Sequence, residues 1–154
     1  MEMRRKDRAR DEDFSLALMD RCSHGVMALN TGSDTPYCLP LSLVRVDRSL
    51  YFHCAHQGRK VELMRAYPKV CVTFVGGDRP AYLDKGEYTT FFQSAIVTGT
   101  VHEVTDDQEK VLALRALCEK LTPQAMDGDK FEQAVSRSLP ATGVWRIDME
   151  DISG

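Results

Sequence analysis

Between positions 53 and 60 the chain reads His53-Cys54-Ala55-His56-Gln57-Gly58-Arg59-Lys60, a strand end, a glycine turn and two cations at the start of a helix. Such a segment can hold an anion. The first N–H groups of a helix lack intrahelical acceptors, the helix dipole favours negative charge there, and Arg59 or Lys60 adds a charge-assisted hydrogen bond. A phosphate suits this arrangement. The competing reading is an ordinary solvated helix start, because a glycine followed by two basic residues is common.

The same segment admits other chemistry. His53, Cys54 and His56 are metal-ligating types, but His24 and His102 are remote in sequence and no further ligand stands at a standard spacing. A Cys54 nucleophile served by His53 is disfavoured, since adjacent strand residues point to opposite faces, which leaves only His56 to swing back. For His53 alone, capping the strand end is the plain structural reading.

The elements that must position this segment follow from pattern. A basic then acidic arm covers residues 1–13, ending in Asp11, Glu12 and Asp13. Phe14, Leu18 and Cys22 recur every four residues, as one face of a helix requires. Short β-like runs follow at 25–29, 36–46 and 50–55, with Asn30 to Asp34 as a turn. Pro40 cannot donate to a ladder, so it marks an edge or a bulge. A helix is expected from Arg59 to Tyr67, closed by Pro68, then a strand at 70–75, a polar loop from Gly76 to about Glu87 and a long strand at 88–104. Gly99 within that strand suggests a bend or a close backbone approach. Thr105 to Gln108 fits a capping box before Val111, Leu114, Cys118 and Leu121. A helix at 129–139 and a strand at 142–149 complete the chain. The expected class is α+β, mainly antiparallel β, with helices flanking one sheet or barrel in one domain over residues 1–154. Regular βαβ alternation, GxGxxG and Walker motifs are missing.

A chain of 154 residues can bury a core without disulfides or a structural metal. The net charge of -3 argues against a general nucleic-acid or membrane-surface binder, so an anionic ligand needs a local basic site. No apolar run is long enough to cross a bilayer and no signal peptide is seen, which points to the cytoplasm. Cys22, Cys38, Cys54, Cys71 and Cys118 are odd in number and set in apolar patterns, as core residues are.

In order along the chain, Met3-Arg4-Arg5-Lys6-Asp7-Arg8, Gly25 to Leu29, Pro36-Tyr37-Cys38-Leu39-Pro40-Leu41, Leu50 to Ala55, Gly58-Arg59-Lys60, Pro68 to Cys71, and Tyr88 with Ser94 to Gly99 form a specific set. It resembles the FMN-binding split-barrel superfamily related to pyridoxamine 5'-phosphate oxidase and, within it, the nitroimidazole-resistance (Nim) proteins. The likeness is good over residues 3–104 and weak beyond. It implies a split β-barrel holding FMN, with Pro40, Leu41, Ser42 and Leu43 lining the isoalloxazine ring largely through backbone. It also implies that His53, Cys54, Ala55, His56, Gly58, Arg59 and Lys60 hold the phosphate, and that Gln93 and Ser94 approach the flavin. Trp145 either stacks near the ring or fills the core. Cys54 stands where relatives often carry a small hydroxyl residue, which leaves one phosphate hydrogen bond unaccounted for. The resemblance further implies a homodimer with FMN at the interface. The implied reaction is reduction of a nitroimidazole-like or other small electron acceptor, with electrons from a nicotinamide or a protein, and His53 is the catalytic candidate. A non-catalytic flavin carrier and a haem- or metal-using barrel stand as alternatives. Pyridoxamine phosphate oxidase activity itself is not expected, because the extended basic motif near the C-terminus is missing and Trp145-Arg146 is only a faint echo of it.

Overall fold

A computed structural model describes residues 4–154; Met3, counted with the basic arm, lies outside the described residues. The elements are α1 (Glu12–Arg21), β1 (Gly25–Leu29), β2 (Tyr37–Leu41), β3 (Val44–Val46), β4 (Ser49–Cys54), α2 (Arg59–Ala66), β5 (Lys69–Leu83), β6 (Glu87–Val104), α3 (Asp107–Leu121), α4 (Lys130–Ser138) and β7 (Gly143–Ser153).

All pairings are antiparallel, in the order β2-β1-β5-β6-β7-β4-β3. The two edges, β2 and β3, are consecutive in the chain and joined only by Ser42 and Leu43. Three residue steps reach at most about 11 Å. The sheet must therefore curl until its edges almost meet, which makes a barrel with a seam: the split β-barrel of an α+β fold.

Strand alternation sorts the side chains. Met27, Leu41, Leu43, Phe52, Phe74, Val97, Trp145 and Ile147 point inward, and Leu18 and Met19 of α1 with Val61 and Met64 of α2 join the same core. Outside, Ala113 and Leu117 of α3 cover Val44, Tyr51, Val104 and Val144. Elsewhere on the outer face, Val26 on β1 and Val75 on β5 stay 44% and 56% exposed.

Several expectations need correction. The strand expected over 36–46 breaks at Ser42 and Leu43, where the chain crosses from one sheet edge to the other. Pro40 lies on the edge strand β2, as its missing donor requires. The segment expected as a polar loop from Gly76 is mostly strand: β5 continues to Leu83 and pairs with β6, past a register shift between Gly76 and Arg79. Gly77 at φ 63 absorbs that shift, and the turn closes at Gly86, φ 79. The cap of α3 sits one residue later than Thr105, on Asp106, whose carboxylate accepts from Glu109 N. The acidic end of the arm belongs to α1, with Asp11 as its cap. Strand β7 runs to Ser153, beyond the expected 149. At Gly99 a register shift brings the neighbouring strand so close that a Cβ would meet the Asp148 carbonyl oxygen at 2.3 Å.

Candidate functional site

Strand β4 delivers the candidate segment to the seam. Phe52 is buried in the barrel, so His53 turns outward and is exposed, while Cys54 turns inward and is half-buried. The β3–β4 register sets Val44 against Tyr51. Continued two residues towards the seam, it sets Ser42 on the same outer face as His53.

Beyond Ala55 the chain turns at Gly58, whose φ of 116 lies in a region that only glycine adopts readily. Helix α2 then begins. The Gly58 carbonyl accepts from Val61 N and Glu62 N, and Gly58 offers no side-chain cap. The N–H groups of Arg59 and Lys60 thus precede the first intrahelical bond, at the positive end of the helix dipole. A Cβ at Gly58 would meet nothing within 4 Å, so the approach to these donors is open.

The two cations have different surroundings. The Arg59 guanidinium lies over the Tyr37 ring, 5.2 Å from its centroid, which ties α2 to the edge strand β2. Lys60 sits near Cys54. Burial pushes the Cys54 thiol up, and Lys60 and the Trp145 N–H oppose that shift without cancelling it. That direction favours the neutral thiol, the poorer nucleophile.

His56 serves as a tie. Its Nε2 lies 3.2 Å from the Pro140 carbonyl oxygen and its Nδ1 3.8 Å from Glu103, which also accepts from Arg65. Among the described residues no three His, Cys, Asp or Glu side chains gather to hold a metal ion.

Trp145 is 2% exposed and sits opposite Phe52 inside the barrel, with Arg65 over its ring. It fills the core. Its Nε1 is a buried donor that makes no hydrogen bond of good geometry, beside the Cys54 sulfur.

Pro40, Leu41, Ser42 and Leu43 flank the seam; Pro40 and Ser42 are exposed, Leu41 and Leu43 buried. Gln93 and Ser94 are not brought to them within one chain. Pro40 pairs with Val26, Val26 with Thr73 and Thr73 with Ile96, so β6 lies three strands from β2, about 14 Å along the sheet. Gln93 is exposed and accepts from Arg21. Two open grooves, of ≈ 460 Å³ beside Asn30, Cys71 and Glu150 and of ≈ 690 Å³ beside Tyr82 and Tyr88, are lined by no residue of α2. Neither groove includes a residue from His53 to Lys60, and within that segment His53, Ala55, Gln57, Gly58 and Arg59 are exposed.

Two contacts had no sequence signal. Tyr37 seats Arg59 from a strand far along the chain. Lys120 of α3 donates from Nζ to the carbonyls of Met19, at 3.0 Å, and Leu43, at 2.9 Å, and so reaches the seam itself. Only the fold brings these groups together.

The family model described as pyridoxamine 5'-phosphate oxidase matches residues 11–154. Among solved structures, the chain is similar to a protein described as a candidate 5-nitroimidazole antibiotic resistance protein of Bacteroides thetaiotaomicron, with 20% identity, TM-score 0.79, and 94% of this chain and 82% of that one covered. It is similar to the flavocytochrome Anf3 of Azotobacter vinelandii, with 19% identity, TM-score 0.79 and coverage of 99% and 70%. A FAD-binding protein of Mesorhizobium loti shares 24% identity over 95% and 94% of the two chains, with TM-score 0.67. No curated protein matches the chain.

Proposed function

Because the chain belongs to the pyridoxamine 5'-phosphate oxidase family, we propose that it is a flavoprotein that binds FMN at the barrel seam and reduces nitroimidazole-like or other small electron acceptors. One observation carries this reading: an uncapped helix start behind Gly58, flanked by Arg59 and Lys60, stands beside the seam. The donor set fits a phosphate monoester. The N–H groups of Arg59 and Lys60 lie at the positive end of the α2 dipole and both side chains are cations; of the nearby carboxylates, Glu103 is held by Arg65 and Glu62 follows in the first turn.

In this reading Pro40 to Leu43 offer their outer edge to the isoalloxazine ring, and Ala55 and His56 set the turn into the phosphate site. His56 does so through its contact with Pro140, and Cys54 packs beneath the site without a hydroxyl to lend. Trp145 supports Cys54 from the core. When bound, FMN supplies the electron transfer, and the protein supplies position and electrostatics. Reducing a nitro group to the nitroso level takes two electrons and two protons and releases water. His53, exposed on the outer face with Ser42, is the titratable side chain this arrangement offers to an acceptor. The electrons come from a nicotinamide or a protein donor.

An open surface binds a flavin poorly unless a second wall covers it. We assign that wall to a second copy of the chain. The exposed Val26 and Val75 and the three-strand gap to Gln93 and Ser94 support a homodimer in which these two residues reach the flavin of the partner. The cytoplasm is the compartment that suits the sequence, and no helix of the described residues is long and apolar enough to cross a membrane.

Anaerobic photoreduction of the FMN-loaded protein, followed by mixing with a nitroimidazole, tests the reaction. Rapid return of the oxidised flavin spectrum is expected. A reduced flavin that persists in the presence of the acceptor refutes the reductase reading and leaves a carrier.

A further inference from the structure

The seam has a lock that the flavin reading does not use. Leu43 lies between β2 and β3, where its carbonyl belongs to neither strand. Met19 lies in the last turn of α1, where carbonyls have no intrahelical partner. Lys120 Nζ donates to both. A cation at a helix C-terminus is favourable in itself, but reaching it here buries part of the ammonium, and burial lowers the Lys120 pKa. A half-buried lysine held on two carbonyls from different elements fixes their separation.

We propose that Lys120 is a positioning residue for the isoalloxazine ring: through the Leu43 carbonyl it fixes the Ser42–Leu43 crossover whose outer edge receives the ring. The inference rests on the flavin reading above. A trans peptide directs its C=O and N–H oppositely, so drawing the Leu43 carbonyl towards Lys120 sets the tilt of the Leu43–Val44 peptide plane, where the crossover enters β3. Nearby, Arg45 pairs with Asp20 of α1 and donates to the Asp47 carbonyl, which steadies β3 but leaves the crossover to Lys120.

Ring and phosphate contacts can be separated, because riboflavin carries the ring without the phosphate. Lys120→Met should weaken FMN and riboflavin by the same factor, about tenfold, so that the ratio of their dissociation constants is unchanged. The visible band of the bound flavin should move towards that of free FMN. Lys120→Arg, which keeps donors for both carbonyls, should restore wild-type affinity. A smaller folded fraction would scale both constants alike without moving the band of the flavin that does bind, so the band shift, in protein shown by circular dichroism to be folded, marks the ring contact. Unchanged affinity in a folded Lys120→Met protein overturns the proposal, and so does a loss confined to FMN. If Lys120→Met does not fold, Lys120→Gln, one atom shorter with a donor retained, decides by the same titrations, with a loss of about threefold expected and no loss overturning it. Failure of the wild-type protein to bind either flavin would instead refute the flavin reading itself.

Discussion

At the scale of single residues, the site depends on which charges are free. Arg59 lies over Tyr37 and Lys60 does not, so Lys60→Ala should weaken FMN by roughly 1.5 to 3 kcal/mol and leave riboflavin unaffected, with a smaller loss for Arg59→Ala. Fluorescence titration with both flavins checks this; equal losses for FMN and riboflavin would move the phosphate elsewhere. Gly58→Ala meets no steric obstacle, yet at φ 116 it should cost roughly 1 to 3 kcal/mol of stability, read as a lower melting free energy of the apoprotein. The glycine and the two cations were legible in the sequence because they are contiguous. The division of labour between the cations was not, since Tyr37 reaches Arg59 from the edge strand β2 and local spacing carries no trace of that contact. The opposite facing of His53 and Cys54, by contrast, follows from strand alternation alone.

At the scale of elements, local rules worked where local chemistry decides and failed where a neighbouring strand does. Pro40 was legible as an edge because its missing N–H excludes it from a central ladder. The run Gly76-Gly77-Asp78-Arg79-Pro80 has turn chemistry, and by itself it reads as a loop. Pairing with β6 overrides that preference, and the glycines instead make the bulge through which β5 continues. The break at Ser42 and Leu43 was equally hidden, because closing a barrel is a global demand on a locally strand-like run. Gly99 announced a close approach, and Asp148 makes it. Gly99→Ala should therefore destabilise the fold by roughly 1 to 3 kcal/mol, since the obstacle is backbone and cannot rotate away. Chemical denaturation of the two proteins checks this, and equal midpoints would mean that β6 and β7 are free to separate there.

At the scale of the whole molecule, α3 covers one part of the outer barrel face, while among the described residues Val26 and Val75 stay about half exposed, at 44% and 56%. Sedimentation should give twice the 17.4 kDa chain mass, and Val26→Lys should shift the protein towards monomer and lower its FMN content together. Dimer retained with full flavin would place the covering wall elsewhere. Class and barrel were legible from the alternation of the strands and their resemblance to a known family. The uncovered position of Val26 and Val75 was not, because periodicity within one chain says which residues are apolar but not which are left uncovered once the sheet curls. Every role proposed for these residues depends on flavin bound at the seam. Its most direct test is the visible spectrum of the purified, FMN-supplemented protein, with the released cofactor identified by mass. Flavin absorption bands and the mass of FMN are predicted. A colourless protein that retains no flavin after gel filtration would contradict flavin binding at the seam.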